Sequence, residues 1–249
     1  ITQEQFDHGT TRADAGRKAQ HDIVVYFTQD VLPAHRDVLQ NLVKPLESDC
    51  KVAVTYGRQL PAFDAEEIPR HLRLFNYSAH SYVIDFNDRE KYGLQTVFAS
   101  NSCAAYKKEA LEEIGFFSDD LIFGEDTCAV GRLLEYGYKL VYAADAEVYH
   151  SHNYTWSEEF RRYFDVGVLH TVEKWLLDTY GSAESRGVDY IKSGISHLYR
   201  RRKYSLIANF MVRIALKFLG YRLGRNYRLI PEKIIPELSM NRKWWQKKR

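Results

Sequence analysis

The sequence predicts an α/β fold in which a β-sheet is flanked by helices. Short apolar runs, with the length and β-branched content of buried strands, alternate with helically spaced segments over the first two-thirds of the chain. The predicted strands are 22–27, 51–56, a segment near 95–100, and a pair of short strands within 139–152 that is broken at Asp145. This alternation is typical of a sheet whose strands are connected by helices.

Apolar spacing also locates the helices. The predicted helices cover 35–46, 108–114, 125–136, 158–180 and 188–219. Gly115 and Gly137 follow two of them and supply the residue that commonly ends a helix. Because the last two helices come after the final strand, a helical extension is expected behind the sheet.

Polar clusters follow three of the predicted strands. They are Thr28-Gln29-Asp30, Gly57-Arg58-Gln59 and Ser100-Asn101-Ser102. A turn explains any one of them, and Asp30 shortly before Pro33 is compatible with a turn. In open α/β sheets, however, ligands bind at the carboxyl ends of strands. Three clusters together therefore favour the rim of a ligand site.

The composition narrows the functional class. The 249 residues can form one large domain, alone or with a small appendage, and the three cysteines are far apart with no CxxC pair. This spacing indicates reduced thiols in a cytoplasm rather than a disulfide framework or a thiolate zinc site. No apolar run is long enough for a membrane span, and no signal peptide is recognised. The GxGxxG, P-loop and GxSxG motifs are also absent from the sequence.

Charge divides the chain into an acidic body and a basic tail. From Arg200 to the end there are 15 Lys and Arg against 2 Asp and Glu, whereas 1–199 carries 20 against 31. The segment 204–225 is apolar apart from a few basic residues, and basic runs flank it. A basic amphipathic helix of this kind indicates attachment to a membrane surface, and the alternative is a packed helix with a solvated basic face. Without a recognisable binding module, nucleic acid is not expected as a partner.

Two further motifs carry residues suited to catalysis or metal binding. Glu125 and Asp126 begin a predicted helix, where acidic residues also occur simply because they suit the helix dipole. If one of them faces a cleft, it becomes a candidate general base. His150 and His152 are two apart on an extended segment, so their side chains point to the same side and could bind a metal. A hard divalent cation shared with Asp30 and phosphate oxygens is more plausible there than zinc.

Five motifs in order resemble the inverting family 2 glycosyltransferases of the GT-A fold, and in particular bacterial rhamnosyltransferases. They are "FDHGTTRADAG", "VVYFTQDVLP" with a TQD form of the DXD segment, the stretch from "YGRQLP" through "FASNSCAAYKKEALEEIGFF", the "GED" motif, and "AEVYHSHNYTWSEEFRRYFDVGV". The resemblance covers about 1–180. It implies a GT-A catalytic domain over 1–165, expected to lack its N-terminal strand or strands, and a basic helical extension over 166–249.

The resemblance also implies roles for individual residues. Asp126 would be the general base and Glu125 would shape its surroundings, while Asp30, His150 and His152 would hold Mg²⁺ or Mn²⁺. The donor would be contacted by the residues Asp30, Gln29, Arg12, Arg58, Gln59 and Asn101. Thr28 and Gln29 stand where many relatives carry further carboxylates, which leaves Asp30 as the one acidic group of the segment.

The function expected from this resemblance is metal-dependent transfer of a sugar in the synthesis of O-antigen or capsule. Rhamnose from dTDP-rhamnose is the favoured donor, and a lipid-linked glycan the expected acceptor. The protein would then be cytoplasmic and peripheral on the inner face of the cell membrane, which its basic tail would contact. A UDP-hexose or galactofuranose donor, or a catalytically silent nucleotide- or carbohydrate-binding subunit of a polysaccharide assembly complex, are the alternatives.

Overall fold

The computed structural model describes residues 6–182 and 184–248, which form a mixed six-stranded sheet with helices packed against it. The strands are β1 (Ile23–Phe27), β2 (Leu32–Pro33), β3 (Val52–Leu60), β4 (Tyr82–Ile84), β5 (Cys103–Lys107) and β6 (Lys139–Tyr149). The helices are α1 (His8–Lys18), α2 (Val38–Ser48), α3 (Glu67–Asn76), α4 (Arg89–Tyr92), α5 (Lys108–Glu113), α6 (Glu125–Glu135), α7 (Trp156–Val172), α8 (Lys174–Tyr180), α9 (Glu184–Arg200), α10 (Tyr204–Arg225), α11 (Ile235–Leu238) and α12 (Arg242–Lys247).

The sheet has the order β1-β5-β3-β6-β2, and β4 pairs with β6 beside this path. The β3–β6 pair is parallel, whereas β5 runs antiparallel to both β1 and β3. One face of the sheet packs against α2 through Leu42 and Leu46, and the other covers a core that includes Tyr106 and Leu133. The predicted α/β class with flanking helices is therefore confirmed.

The strand predicted near 95–100 is wrong. A 3-10 helix occupies Gly93–Val97, and the next strand, β5, begins only at Cys103. Val97 and Ala99 are apolar because they are buried beneath the sheet, not because they pair with a neighbouring strand. The polar cluster 100–102 consequently precedes β5 instead of ending a strand.

Two other strand predictions need adjustment. β6 runs unbroken from Lys139 to Tyr149, so the expected break at Asp145 is instead a bulge. Gly57 of β3 lies opposite Ala143, and Arg58 lies opposite Glu147, so the residues between them on β6 have no partner on β3. β3 itself continues to Leu60 rather than ending at 56, so the cluster 57–59 belongs to the strand.

The C-terminal helices form a layer that folds back on the rest of the molecule. The helices predicted over 158–180 and 188–219 are each interrupted once, at Glu173 and between Arg200 and Tyr204. Near the end of the described chain, Trp244 packs with Leu121, and its indole nitrogen donates to the carbonyl of Asp120 at 3.0 Å. This contact ties the tail to the segment that precedes α6.

The predicted division between residues 165 and 166 falls inside α7. The two-domain division stays a prediction, and residues 1–5, 183 and 249, which it includes, lie outside the described residues. Within the described ranges no helix combines the length and the apolar character needed to span a bilayer.

Candidate active site

A cleft of about 1010 Å³ opens at one edge of the sheet, where β1, β3 and β6 end. The antiparallel pairing of Phe27 with Cys103 brings the start of β5 to the same edge. The cluster 100–102 therefore lies at the predicted position, although it precedes strand β5 and does not follow a strand. The predicted site residues that line the cleft are Arg12, Asp30, Gln59, Asn101, Glu125, Asp126, His150 and His152.

Three of these side chains form a potential metal site at one end of the cleft. The ligand atoms of Asp30, His150 and His152 all lie within 4.8 Å of one another. Asp30 Oδ2 is 3.2 Å from His150 Nε2 and 3.7 Å from His152 Nε2. His150 and His152 project to the same side because they are two residues apart on the extended segment after β6.

The hydrogen bonds behind His150 determine which of its ring nitrogens carries the proton. Arg73 donates from Nη1 to Gln59 Oε1 at 2.6 Å, and a guanidinium has only donors, so this contact fixes the orientation of the Gln59 amide. The amide nitrogen of Gln59 donates in turn to Ser100 Oγ at 3.0 Å. His150 Nδ1 lies 2.9 Å from the same Gln59 Oε1, so Nδ1 must be the donor. His150 Nε2 is therefore the nitrogen with a free lone pair.

This tautomer fits a bound cation. Burial, and after it the charge of Arg73, lowers the pKa of His150 to about 4, so the imidazole is neutral at pH 7. The Nε2 lone pair and the Asp30 carboxylate then face each other at 3.2 Å as two acceptors. A divalent cation between them would satisfy both groups, and the hydrogen bond from Nδ1 is the usual support of a metal-binding histidine.

The opposite side of the cleft carries the two adjacent carboxylates that begin α6. Gly124 precedes them with φ +80°, a left-handed conformation that favours glycine, and a Cβ added there would lie 2.5 Å from Leu169 Cδ2. Glu125 is buried and pairs with Arg12, and it also accepts a hydrogen bond from Asn101 Nδ2 at 3.3 Å. Its charge is thus neutralised within the protein.

Asp126 has a different environment from its neighbour. It accepts hydrogen bonds from the backbone nitrogens of Thr127 at 2.8 Å and Asn101 at 3.3 Å, and it borders the cleft. Desolvation, and then the negative charge of Glu125, raises the pKa of Asp126 to about 6. A carboxylate with a raised pKa at the surface of a cleft is suited to accept a proton from a bound hydroxyl.

Two of the predicted donor-binding residues are not part of the cleft lining. Gln29 is exposed, at the turn between Thr28 and Asp30. Arg58 alternates with Gln59 along β3, so it points away, and it pairs with Glu147 of β6 at 2.7 Å. The prediction that Gln29 and Arg58 contact a ligand in this cleft is therefore not supported by their positions. Gln59 is buried behind His150 and acts there as a hydrogen-bonding support.

The cleft also contains basic residues that the sequence analysis did not identify. Arg73 of α3 lines it beside Gln59, and Arg162 of α7 lies 4.1 Å over the ring of Phe123. Burial is the main cause that lowers the pKa of His8 and of His152, and the nearby charge of Arg162 contributes to both shifts. In the sequence, Arg162 precedes Val166 by four residues and Leu169 by seven, and both of these also line the cleft. This helical spacing was the signal that could have identified Arg162. Arg73 becomes recognisable only once α3 is known to cover the end of β3.

Comparisons with known proteins identify the family of the chain. The family model described as "Glycosyl transferase family group 2" matches residues 23–222. The O-antigen chain rhamnosyltransferase RfbN of Salmonella typhimurium (strain LT2) is 39% identical over 246 residues, which is 98% of this chain and 78% of that protein. The O-antigen chain rhamnosyltransferase WbaN of Salmonella anatum is 37% identical over the same shares of both chains.

A solved structure shares the fold. The mannosyltransferase PcManGT from Pyrobaculum calidifontis, in complex with GDP-Man and Mn²⁺, superimposes with a TM-score of 0.56 at 17% sequence identity. The similarity covers 89% of this chain and 67% of that one.

Proposed function

The chain belongs to glycosyl transferase family group 2, and we propose that it transfers rhamnose from a nucleotide sugar to a growing glycan of the cell surface. The rhamnosyltransferase relatives support the sugar, and their names support O-antigen synthesis as the context. The observation that carries the chemistry is the pairing, in one cleft, of a proton acceptor at Asp126 with the Asp30–His150–His152 cluster.

Asp126 is proposed as the general base of an inverting transfer. Its carboxylate takes the proton from the acceptor hydroxyl as that oxygen bonds to the anomeric carbon of the donor sugar. The bond between the anomeric carbon and the donor phosphate breaks with its electron pair going to the nucleoside diphosphate. The pairing of Glu125 with Arg12 leaves Asp126 as the carboxylate of this turn that pairs with no basic side chain of the described residues.

The Asp30–His150–His152 cluster is proposed to bind the diphosphate of the donor through a metal ion. A divalent ion held by Asp30, His150 and His152 would neutralise the charge that develops on the leaving nucleotide. Arg73 and Arg162 line the cleft and offer guanidinium groups suited to phosphate oxygens. The finer assignment is Mn²⁺ rather than Mg²⁺, because a ligand set of two imidazoles and one carboxylate suits Mn²⁺ better.

The donor, acceptor and location are proposed in more detail. We assign dTDP-rhamnose as the donor and a lipid-linked glycan as the acceptor, and place the enzyme peripherally on the inner face of the cell membrane. The basic segment after Arg200 supports contact with anionic lipid.

A transfer assay with a donor panel tests the proposal. The protein is incubated with Mn²⁺, a lipid-linked O-antigen precursor, and dTDP-rhamnose, a UDP-hexose or UDP-galactofuranose, and nucleotide release is measured together with the glycan product. We expect product with dTDP-rhamnose, and loss of product when EDTA replaces Mn²⁺. Product from a UDP-sugar alone would overturn the rhamnose assignment. Donor binding without any product would indicate a silent binding subunit instead.

A further inference from the structure

The outward face of α10 is apolar along four turns of the helix. The exposed apolar residues of this face, here called the α10 stripe, are Tyr204, Ala208, Met211, Val212, Ala215, Phe218 and Leu219. They recur at intervals of three and four residues, as positions on one side of a helix do. Phe218 is 67% exposed and Leu219 is 50% exposed. A contiguous apolar strip of this length is unusual on a protein surface and marks an interaction site.

Two charged residues in the middle of the same helix point inward. Arg213 and Lys217 are buried, and they lie 3.4 Å and 3.6 Å from the carboxylate oxygens of Glu159 on α7. An ordinary surface helix turns its apolar side to the core and its charges to solvent, and α10 does the reverse at these positions. The helix expected from the sequence to be basic and amphipathic therefore has Arg213 and Lys217 on its hidden side.

Close packing prevents α10 from rotating to hide the stripe. Gly220 and Gly224 let its backbone approach α7, and a Cβ added at Gly224 would lie 2.0 Å from the carbonyl oxygen of Phe164. A Cβ at Gly167 of α7 would likewise lie 2.4 Å from the carbonyl oxygen of Tyr221. These backbone contacts fix which side of α10 faces outward.

Basic residues lie at both ends of the stripe. Exposed Arg202 and Lys203 immediately precede it, and exposed Arg222 and Arg228 follow it. A second copy of the chain, packed along the stripe in either direction, would bring basic end against basic end. The surface of an anionic bilayer accepts the apolar side chains and attracts both ends. Charge therefore favours lipid over a second copy as the occupant.

We propose that the α10 stripe is the surface by which this protein docks on an anionic lipid bilayer. The inference rests on the peripheral membrane location proposed above and specifies the residues responsible for it. It also relates docking to the active site. The opposite side of α10 supports the segment that carries His152, since Arg213 donates to the carbonyl of Tyr154 at 2.7 Å and the Tyr154 ring stacks on His152.

Vesicle cosedimentation of the full chain tests the proposal. The vesicles are phosphatidylcholine alone and phosphatidylcholine with phosphatidylglycerol, each at low and high salt. The test variant carries Met211→Gln, Phe218→Gln and Leu219→Gln, which alter exposed side chains and leave the contact with α7 in place. The control is Tyr136→Gln, because Tyr136 is 62% exposed at the end of α6, outside the stripe and the cleft.

We expect the wild type and Tyr136→Gln to bind the anionic vesicles, more weakly at high salt, and the stripe variant to bind about tenfold or more weakly. Equal binding by the stripe variant, or no binding by the wild type, would overturn the proposal. A wild-type dimer in light scattering that the stripe variant abolishes would identify the stripe as a protein interface and also overturn it. Transfer to a soluble acceptor, measured in parallel, shows whether the catalytic proposal holds irrespective of docking.

Discussion

Burial shifts the pKa in opposite directions at the two ends of the cleft. At the metal end, burial lowers the pKa of His150 to about 4 and keeps a neutral nitrogen lone pair available. At the other end, burial raises the pKa of Asp126 to about 6 and makes a carboxylate more basic than usual. Desolvation disfavours the charged form in both cases, and it has opposite effects on the pKa because one acid is cationic and the other neutral. At neutral pH His150 is thus largely the neutral imidazole, with its proton on Nδ1, and Asp126 is largely the carboxylate.

The largest expected effect is at the end of the cleft that carries Asp126. Asp126→Asn removes the proton acceptor but keeps the size of the side chain, so the rate of sugar transfer is expected to fall by about 10³-fold. Nucleotide binding, measured by calorimetry with dTDP and Mn²⁺, is expected to be unchanged because the metal end is intact.

Glu125→Gln is the matched control for this prediction. Glu125 pairs with Arg12 and is a neighbour of Asp126, so its amide variant perturbs the same turn without removing the proposed base. We expect it to keep more activity than Asp126→Asn. The reverse order of the two variants would exchange the roles of the two carboxylates.

The second prediction tests the support of His150. Gln59→Leu removes the oxygen that accepts from both Arg73 and His150 Nδ1, so the ring loses its fixed orientation. The dissociation constant of Mn²⁺, followed by electron paramagnetic resonance, is expected to rise by about 10- to 100-fold. Gln59→Glu retains an acceptor oxygen for both partners and should lose less affinity. An unchanged affinity in Gln59→Leu would mean that the hydrogen bond does not prepare the metal site.

The sequence located the acidic and histidine side chains that line the cleft better than the residues that support them. Asp30, the two carboxylates of α6 and the two histidines stand in short motifs, and the spacing of His150 and His152 alone determines that they share a side of the extended segment. The role of Gln59 in orienting His150 was missed. This role depends on Arg73, a residue 14 positions later in the sequence that α3 places over β3. The rim at 100–102 was placed correctly for a wrong reason, because sequence alone does not reveal that β5 runs antiparallel to β1.

The third prediction concerns the pH dependence of the rate. A base with a pKa of about 6 must be deprotonated to act, so the transfer rate is expected to rise about tenfold per pH unit below pH 6 and to level off above it. The value of kcat/KM for the acceptor, which reports the free enzyme, checks this when it is measured between pH 4.5 and 8.5 in buffers of constant ionic strength. A profile flat down to about pH 4.5 would show that Asp126 is not the group whose deprotonation limits the reaction.

The smallest expected effect is on stability, and it separates the active-site role of Asp126 from a structural one. Because its pKa in the folded protein, about 6, lies above the ordinary 3.8, the folded state binds this proton more tightly. The resulting stabilisation is fully present below about pH 3.8 and is lost as pH rises through about 6. At pH 7.5 Asp126→Asn, which has no charge to bury, should therefore raise the free energy of unfolding by about 1 to 3 kcal/mol in urea titrations. A less stable Asp126→Asn would instead mean that the carboxylate is needed to hold the start of α6, and its loss of activity could then not be assigned to the missing base.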